Sequence, residues 1–163
     1  MAIQHKREWF LRELGDMLDV ENQQAQILPQ LAREVRNEEI KAAFLQHAAE
    51  IRQQVRNLER CFNVLRMPPE HTSSLAMERL KQEHASFVRN EPSPDFLTMF
   101  DLHGATRSAR YKIASYQGLI TQAEMMEQQE CVNLLKQNLR QEEAMARKVA
   151  HFSHELAPQL RPE

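Results

Sequence analysis

Apolar positions recur along this chain in alternating steps of four and three, and four long stretches keep that spacing. The first covers roughly residues 5 to 35, with the stripe Phe10, Leu14, Met17, Glu21, Gln24, Leu28, Leu31, Val35. The second covers roughly 38 to 66, with Ile40, Phe44, His47, Ile51, Gln54, Leu58, Cys61, Leu65. The third, about 95 to 126, carries Met99, Leu102, Thr106, Ala109, Ile113, Tyr116, Ile120, Ala123. The fourth, about 128 to 157, carries Val132, Leu135, Leu139, Glu142, Ala146, Val149, Ser153, Leu156. This period predicts helices that pack at a shallow crossing angle, as in four-helix bundles.

The boundaries follow from caps and prolines. Asn37 caps the second helix, with Glu38 and Glu39 near the positive end of its dipole. Pro68 and Pro69 end it, and Pro29 is expected to kink the first helix. Ser73 or Ser74 opens a short extra helix to about residue 89, with Leu75, Met77, Leu80, His84 and Phe87 as packing candidates. A turn follows at Glu91–Asp95, where Pro92 and Pro94 break the pattern. The short link between the third and fourth helices makes them antiparallel neighbours, while the long link before the third can cross the bundle. The expected architecture is all-α: a four-helix bundle with a long crossover carrying a short helix. It forms one domain over residues 1–163, frayed from about Pro158 through Pro162.

Composition sharpens this. The 163 residues include only three glycines, aromatics are 6%, and good helix formers dominate. A net charge of -2 with interspersed signs argues against nucleic-acid binding. No apolar run is long enough to span a membrane and MAIQHKREWF has no apolar signal core, so a cytoplasmic setting is expected. Cys61 and Cys131 show no metal or redox spacing and read as small buried hydrophobes. Trp9, Phe10 and Leu11 are wider than one stripe, which fits either core packing or a homodimer contact. His5, His71, His84, His103, His151 and His154 are scattered and read as surface or packing residues. His151 and His154, three apart, could bind stray metal.

Three stripe residues do not belong in an apolar core. Glu21, His47 and Glu142 each fall near the middle of a long helix, and Ala109 holds the matching place on the third. Antiparallel helices of similar length bring their midpoints to one level, within about a 5.4 Å turn. Glu50, three residues after His47, shares its face. A buried carboxylate is costly unless something pairs with it. Carboxylates from several helices with a histidine form the ligand set of ferritin-like di-metal centres, and hard oxygens with one imidazole suit iron or manganese. Taken singly, a stripe Glu is more often a boundary residue reaching water and a stripe His a hydrogen-bonded core residue; their coincidence at one level favours a centre.

The same residues carry a likeness. On "VENQQAQILPQLA" with Glu21, "AFLQHAAEIRQQVRNLERCF" with His47, Glu50 and Gln54, "AMERLKQE", "RYKIASYQGL" with Tyr111 and Tyr116, and "NLRQEEAMARKV" with Glu142, the chain resembles the YciE/YciF family of bacterial ferritin-like stress proteins. The resemblance runs from about residue 9 to residue 152. It implies a homodimeric helical bundle with a carboxylate-rich centre and a link to general stress responses.

The departures bear on function. Where the family carries Glu-His-Tyr on the third helix, this chain has Ala109-Arg110-Tyr111, so that carboxylate is gone. The acid pair of the fourth helix stands at Glu142-Glu143, after Gln141, and Ala146 replaces a frequent acid. Three arrangements satisfy the remaining acids. One iron or manganese ion could sit on Glu21, His47, Glu50 and Glu142. A basic side chain could replace the ion, with Arg107 and Arg110 as candidates. Or no ion is held and the acids are protonated or partly wet. The favoured expectation is a stress-associated protein with a degenerate di-metal centre and a non-catalytic oligomeric or binding role. The alternative is a metal-dependent oxidoreductase, or a peroxide- or metal-handling protein, that uses the residual site near Tyr111 or Tyr116. Two-electron oxygen chemistry generally wants two adjacent metals, which weighs against an enzyme.

Overall fold

The computed structural model of the protein describes residues 3–70 and 72–160; His71 and Pro162 fall outside them. Its elements are α1 (Lys6–Glu34), α2 (Glu38–Val64), α3 (Leu75–Val88), α4 (Pro94–Met125), α5 (Gln129–Leu156) and a closing 3-10 turn (Ala157–Leu160). The starts of α2, α3 and α4 are fixed by side-chain caps. Asn37 accepts from the Glu39 and Ile40 amides, Ser74 from Met77, and Ser93 from Phe96, with Pro94 in the first turn of α4 where its missing N–H costs nothing. Three chain reversals use left-handed residues that are not glycine: Arg66, Glu91 and Glu127, with φ of 54°, 50° and 57°. Each carries a strain of about 1 kcal/mol.

Cross-helix hydrogen bonds give the topology. Gln24 meets Ser108, Glu21 meets Tyr116 and Glu13 meets Gln122, so α1 and α4 are antiparallel. Gln54 meets Gln141, Asn57 meets Asn138 and Arg60 meets Glu130, so α2 and α5 are too. With α1 beside α2 and α4 beside α5, the helices form a square in which α2 and α4 run the same way across a diagonal. The connection between them must climb the bundle, and α3 does this lying on α1 and α4. The strap before α3 crosses α1 at Gly15, where a Cβ would lie 3.1 Å from Glu70 Cβ. Asp19 Oδ2 then takes the Ser74 amide at 2.7 Å.

The core has two apolar halves. One gathers around Phe10, Leu14, Leu58, Phe62 and Leu119, the other around Leu28, Phe44, Ile51, Leu102 and Val149. Every expected stripe position of α1 and α2 is buried. In α4 the stripe is displaced: Ile113 and Thr106 are only half-buried, while Asp101, Ser108 and Lys112 are buried. The reason is that α4 is covered by α1, α3 and α5, so its buried face is wider than one stripe.

Some expectations need correction and others hold. Leu75 is exposed, because it is the first residue of α3 and only Met77 of that helix is fully buried. Phe10 and Leu11 are core residues, leaving Trp9 alone partly in solvent with its indole on Glu13. The segment expected to fray at Pro158 is a 3-10 turn packed on α4 and α5. α1 continues through Pro29 for another turn. Cys61 and Cys131 are buried free thiols.

A candidate charged centre in the bundle

Between the two apolar halves lies a polar layer. Glu21, His47 and Glu142 converge there from α1, α2 and α5, each buried, with Glu50 at the half-exposed edge. The His47 ring joins two of the acids. Its Nδ1 lies 3.0 Å from Glu50 Oε2 and its Nε2 3.2 Å from Glu142 Oε1. The Nδ1 contact is a hydrogen bond, while the Nε2 contact to Glu142 is an ion pair outside good hydrogen-bond alignment.

The cation in this layer is Lys112. Its fully buried ammonium lies 2.8 Å from Glu21 Oε2 and 2.5 Å from Glu142 Oε1, and donates to Gln24 Oε1 at 2.5 Å. Gln24 is held in turn by its Nε2, which donates to Ser108 Oγ at 2.8 Å. The other Glu21 oxygen accepts from the buried Tyr116 hydroxyl at 2.5 Å. Asn138 donates to that hydroxyl and to the Gln54 carbonyl, and accepts from Asn57. The Lys112 contacts to Glu21 and Glu142 fall outside good hydrogen-bond alignment, so these oxygens are held by charge more than by direction.

The arginines expected in this role lie elsewhere. Arg107 is half-exposed, over the Phe100 ring and 3.8 Å from Glu83, and Arg110 is exposed. Successive helical residues turn by about 100°, so Arg110 points away from the face of Ala109 while Lys112, three residues on, shares it. Ala109 leaves room for the lysine stem. Same-face spacing from Ala109 was the available signal for Lys112. Nothing comparable marked Asn138, which is buried where the stripe placed Leu139. Tyr116, not the exposed Tyr111, is the tyrosine of the centre.

The electrostatics balance. Burial favours the neutral form of every group, but mutual attraction outweighs it for four of them. Burial opposes a charged Glu142, yet Lys112 and His47 bring its carboxyl down to about 2. Burial pulls Lys112 down, yet Glu142 and Glu21 leave it above its ordinary value. Burial pulls His47 down, yet its bonds to Glu142 and Glu50 raise it. Glu21 stays raised, since burial and the Glu142 charge exceed the help from Lys112. Glu50 is lowered, first by its bond to His47. Glu142 is thus held toward its charged form between Lys112 and His47, while Glu21 is pushed toward its neutral form.

A metal ion fits this set poorly. A divalent cation would enter a group already holding an ammonium between its two deepest acids. Among the described residues, the group whose ligand atoms lie within 4.8 Å of one another is at Glu34, His84 and Asp101, not in this layer.

Comparison with known proteins follows the same outline. A family described as a domain of unknown function, DUF892, matches residues 5–160. The chain is 27% identical over 136 residues to protein YciF of Escherichia coli, covering 83% of this chain and 82% of that protein. The crystal structure of the E. coli stress protein YciF superposes with a TM-score of 0.86 at 25% identity, over 96% of this chain and 99% of that one. The chain belongs to the YciE/YciF family. A second solved structure, that of YcfI from Rhodopseudomonas palustris, has a TM-score of 0.88 at 25% identity, over 91% and 95% of the two chains. A Xanthomonas campestris protein shares the fold at 19% identity with a TM-score of 0.76, over 94% of each chain. No helix among the described residues is long and apolar enough to cross a membrane.

Proposed function

We propose that this member of the YciE/YciF family is a non-catalytic, stress-associated cytoplasmic protein whose di-metal centre has decayed into an internal salt-bridge cluster. One observation carries the reading: Lys112 Nζ stands 2.8 Å and 2.5 Å from the acids that would otherwise hold an ion. The stress association rests on the likeness to YciF, which is described as a stress protein. Ala109 and Lys112 act together in it, since a carboxylate at position 109 would bring a third buried negative charge to one ammonium. For the same reason Ala109→Glu alone is a weak way to restore metal; Lys112 must also lose its charge.

Crystals soaked in manganese or iron test it. Anomalous scattering should show no ion bonded to Glu21 and Glu142. A peak there with Lys112 displaced would overturn the reading in favour of a metal-dependent oxidoreductase on Glu21, His47, Glu50 and Glu142.

A bundle without chemistry at its centre acts through its surface, and we propose homodimer formation as that action. Ile3, Trp9 and Met125 are exposed large apolar residues, and Lys6 Nζ bonds the Met125 carbonyl at 2.9 Å, which brings the end of α4 beside the start of α1. Sedimentation should show a dimer that Trp9→Asp weakens by about tenfold or more, the size of one lost aromatic anchor. A monomer at micromolar concentration, or a dimer indifferent to Trp9→Asp, would remove this surface from the proposal.

A further inference from the structure

A second cluster of ligand-type side chains lies away from the centre, where α3 crosses the bundle. Glu34 is the last residue of α1, His84 lies on α3 and Asp101 on α4. His84 Nε2 is 2.9 Å from Glu34 Oε2 and 3.3 Å from Asp101 Oδ1. Ligand atoms on bonds of about 2.0–2.1 Å stand about 3.3 Å apart around a tetrahedral ion and about 2.9 Å apart at right angles. The two separations, the shorter a His84–Glu34 hydrogen bond, also fit ligands around one ion.

The second observation concerns Asp101 alone. It is 2% exposed, and apart from the His84 contact at 3.3 Å, which lies outside good hydrogen-bond alignment, neither carboxylate oxygen has a hydrogen-bond partner among the described residues. A buried carboxylate without an aligned donor is a costly group that calls for an explanation. It faces a cavity of about 390 Å³ whose wall includes His84, Phe100, Arg107, Gln24 and Ser108.

We propose that Glu34, His84 and Asp101 bind one divalent first-row transition ion at the seam between α3 and the bundle, with a coordination position open to the adjoining cavity. Two carboxylates and one imidazole suit zinc, iron or manganese. Three protein ligands with an open fourth position are the arrangement of reactive rather than purely structural sites. Binding uses the Nε2 lone pair of neutral His84 and ionised carboxylates, so it releases protons to solvent. The ion also fastens α3, which otherwise buries only Met77 fully and stacks Phe87 on Phe100 at 4.1 Å. None of the three residues belongs to the charged centre, so either proposal can fail alone.

The test uses the full chain without an affinity tag, stripped with chelator and dialysed against Zn²⁺ or Mn²⁺. Elemental analysis should find about one ion per chain, and the ion should raise the melting temperature, as any ligand of the folded state does. Asp101→Asn and His84→Gln should each weaken binding by at least about tenfold, the smaller end of what loss of supporting metal contacts causes. Asp101→Asn keeps the side-chain shape, and circular dichroism confirms that both variants remain helical. His151→Ala, which removes an exposed His–Glu pair, should change nothing. Failure of both metals to bind stoichiometrically, or binding undiminished in both Asp101→Asn and His84→Gln, would overturn the proposal.

Discussion

Replacing Lys112 by Met should cost about 3–5 kcal/mol of folding stability, because it leaves two fully buried carboxylates without their shared cation. In a chain of this size the melting temperature should fall by about 10 °C. Methionine keeps most of the length of the stem, so the loss reports charge more than cavity. Chemical denaturation gives the number. Combining Lys112→Met with Glu142→Gln should cost less than the sum of the two single changes, since each removes what the other needs. A cost for Lys112→Met below about 1 kcal/mol, the scale of a surface ion pair, would mean that the centre is wetter than its geometry says.

Acid should expose Glu142. Its folded pKa of about 2 lies below its ordinary 4.5, so it contributes stability that is present above pH 4.5 and lost as pH falls through about 2. The contribution amounts to about 3 kcal/mol. Glu21 acts with the opposite sign: its raised carboxyl contributes stability below its ordinary value that is lost as pH rises through the folded value. The wild-type profile alone therefore understates Glu142, and the difference between wild type and Glu142→Gln isolates it. That difference should shrink by about 3 kcal/mol between pH 5 and pH 2. A difference constant across this range would show that Glu142 is not held ionised by Lys112 and His47.

The parts of the fold set by strong local rules were legible in the chain. The stripes of α1 and α2 are buried at every expected position, and the caps Asn37 and Ser74 start helices as their side chains require. Glu21, His47 and Glu142 meet because α1, α2 and α5 are of similar length and share a midpoint level. Lys112 was missed because a stripe admits one residue per turn, and α4 is covered on three sides. Its buried arc takes in Asp101, Ser108 and Lys112, residues that a single stripe assigns to solvent. The left-handed reversals at Arg66, Glu91 and Glu127 lacked the glycine that usually announces them. The Glu34, His84 and Asp101 group was invisible for a different reason. Its members come from three helices at unrelated spacings, and the path of the crossover alone brings them together.

The charged layer bears on how the bundle meets heat. The hydration of ions becomes less favourable as temperature rises, so the penalty for withdrawing Lys112, Glu21, His47 and Glu142 from water shrinks. Apolar layers gain nothing similar. Near its melting point, the molecule leans proportionally more on this middle slab than on the two greasy halves beside it. For a chain whose relative is described as a stress protein, the least orthodox part of the interior is the part whose desolvation cost warming eases.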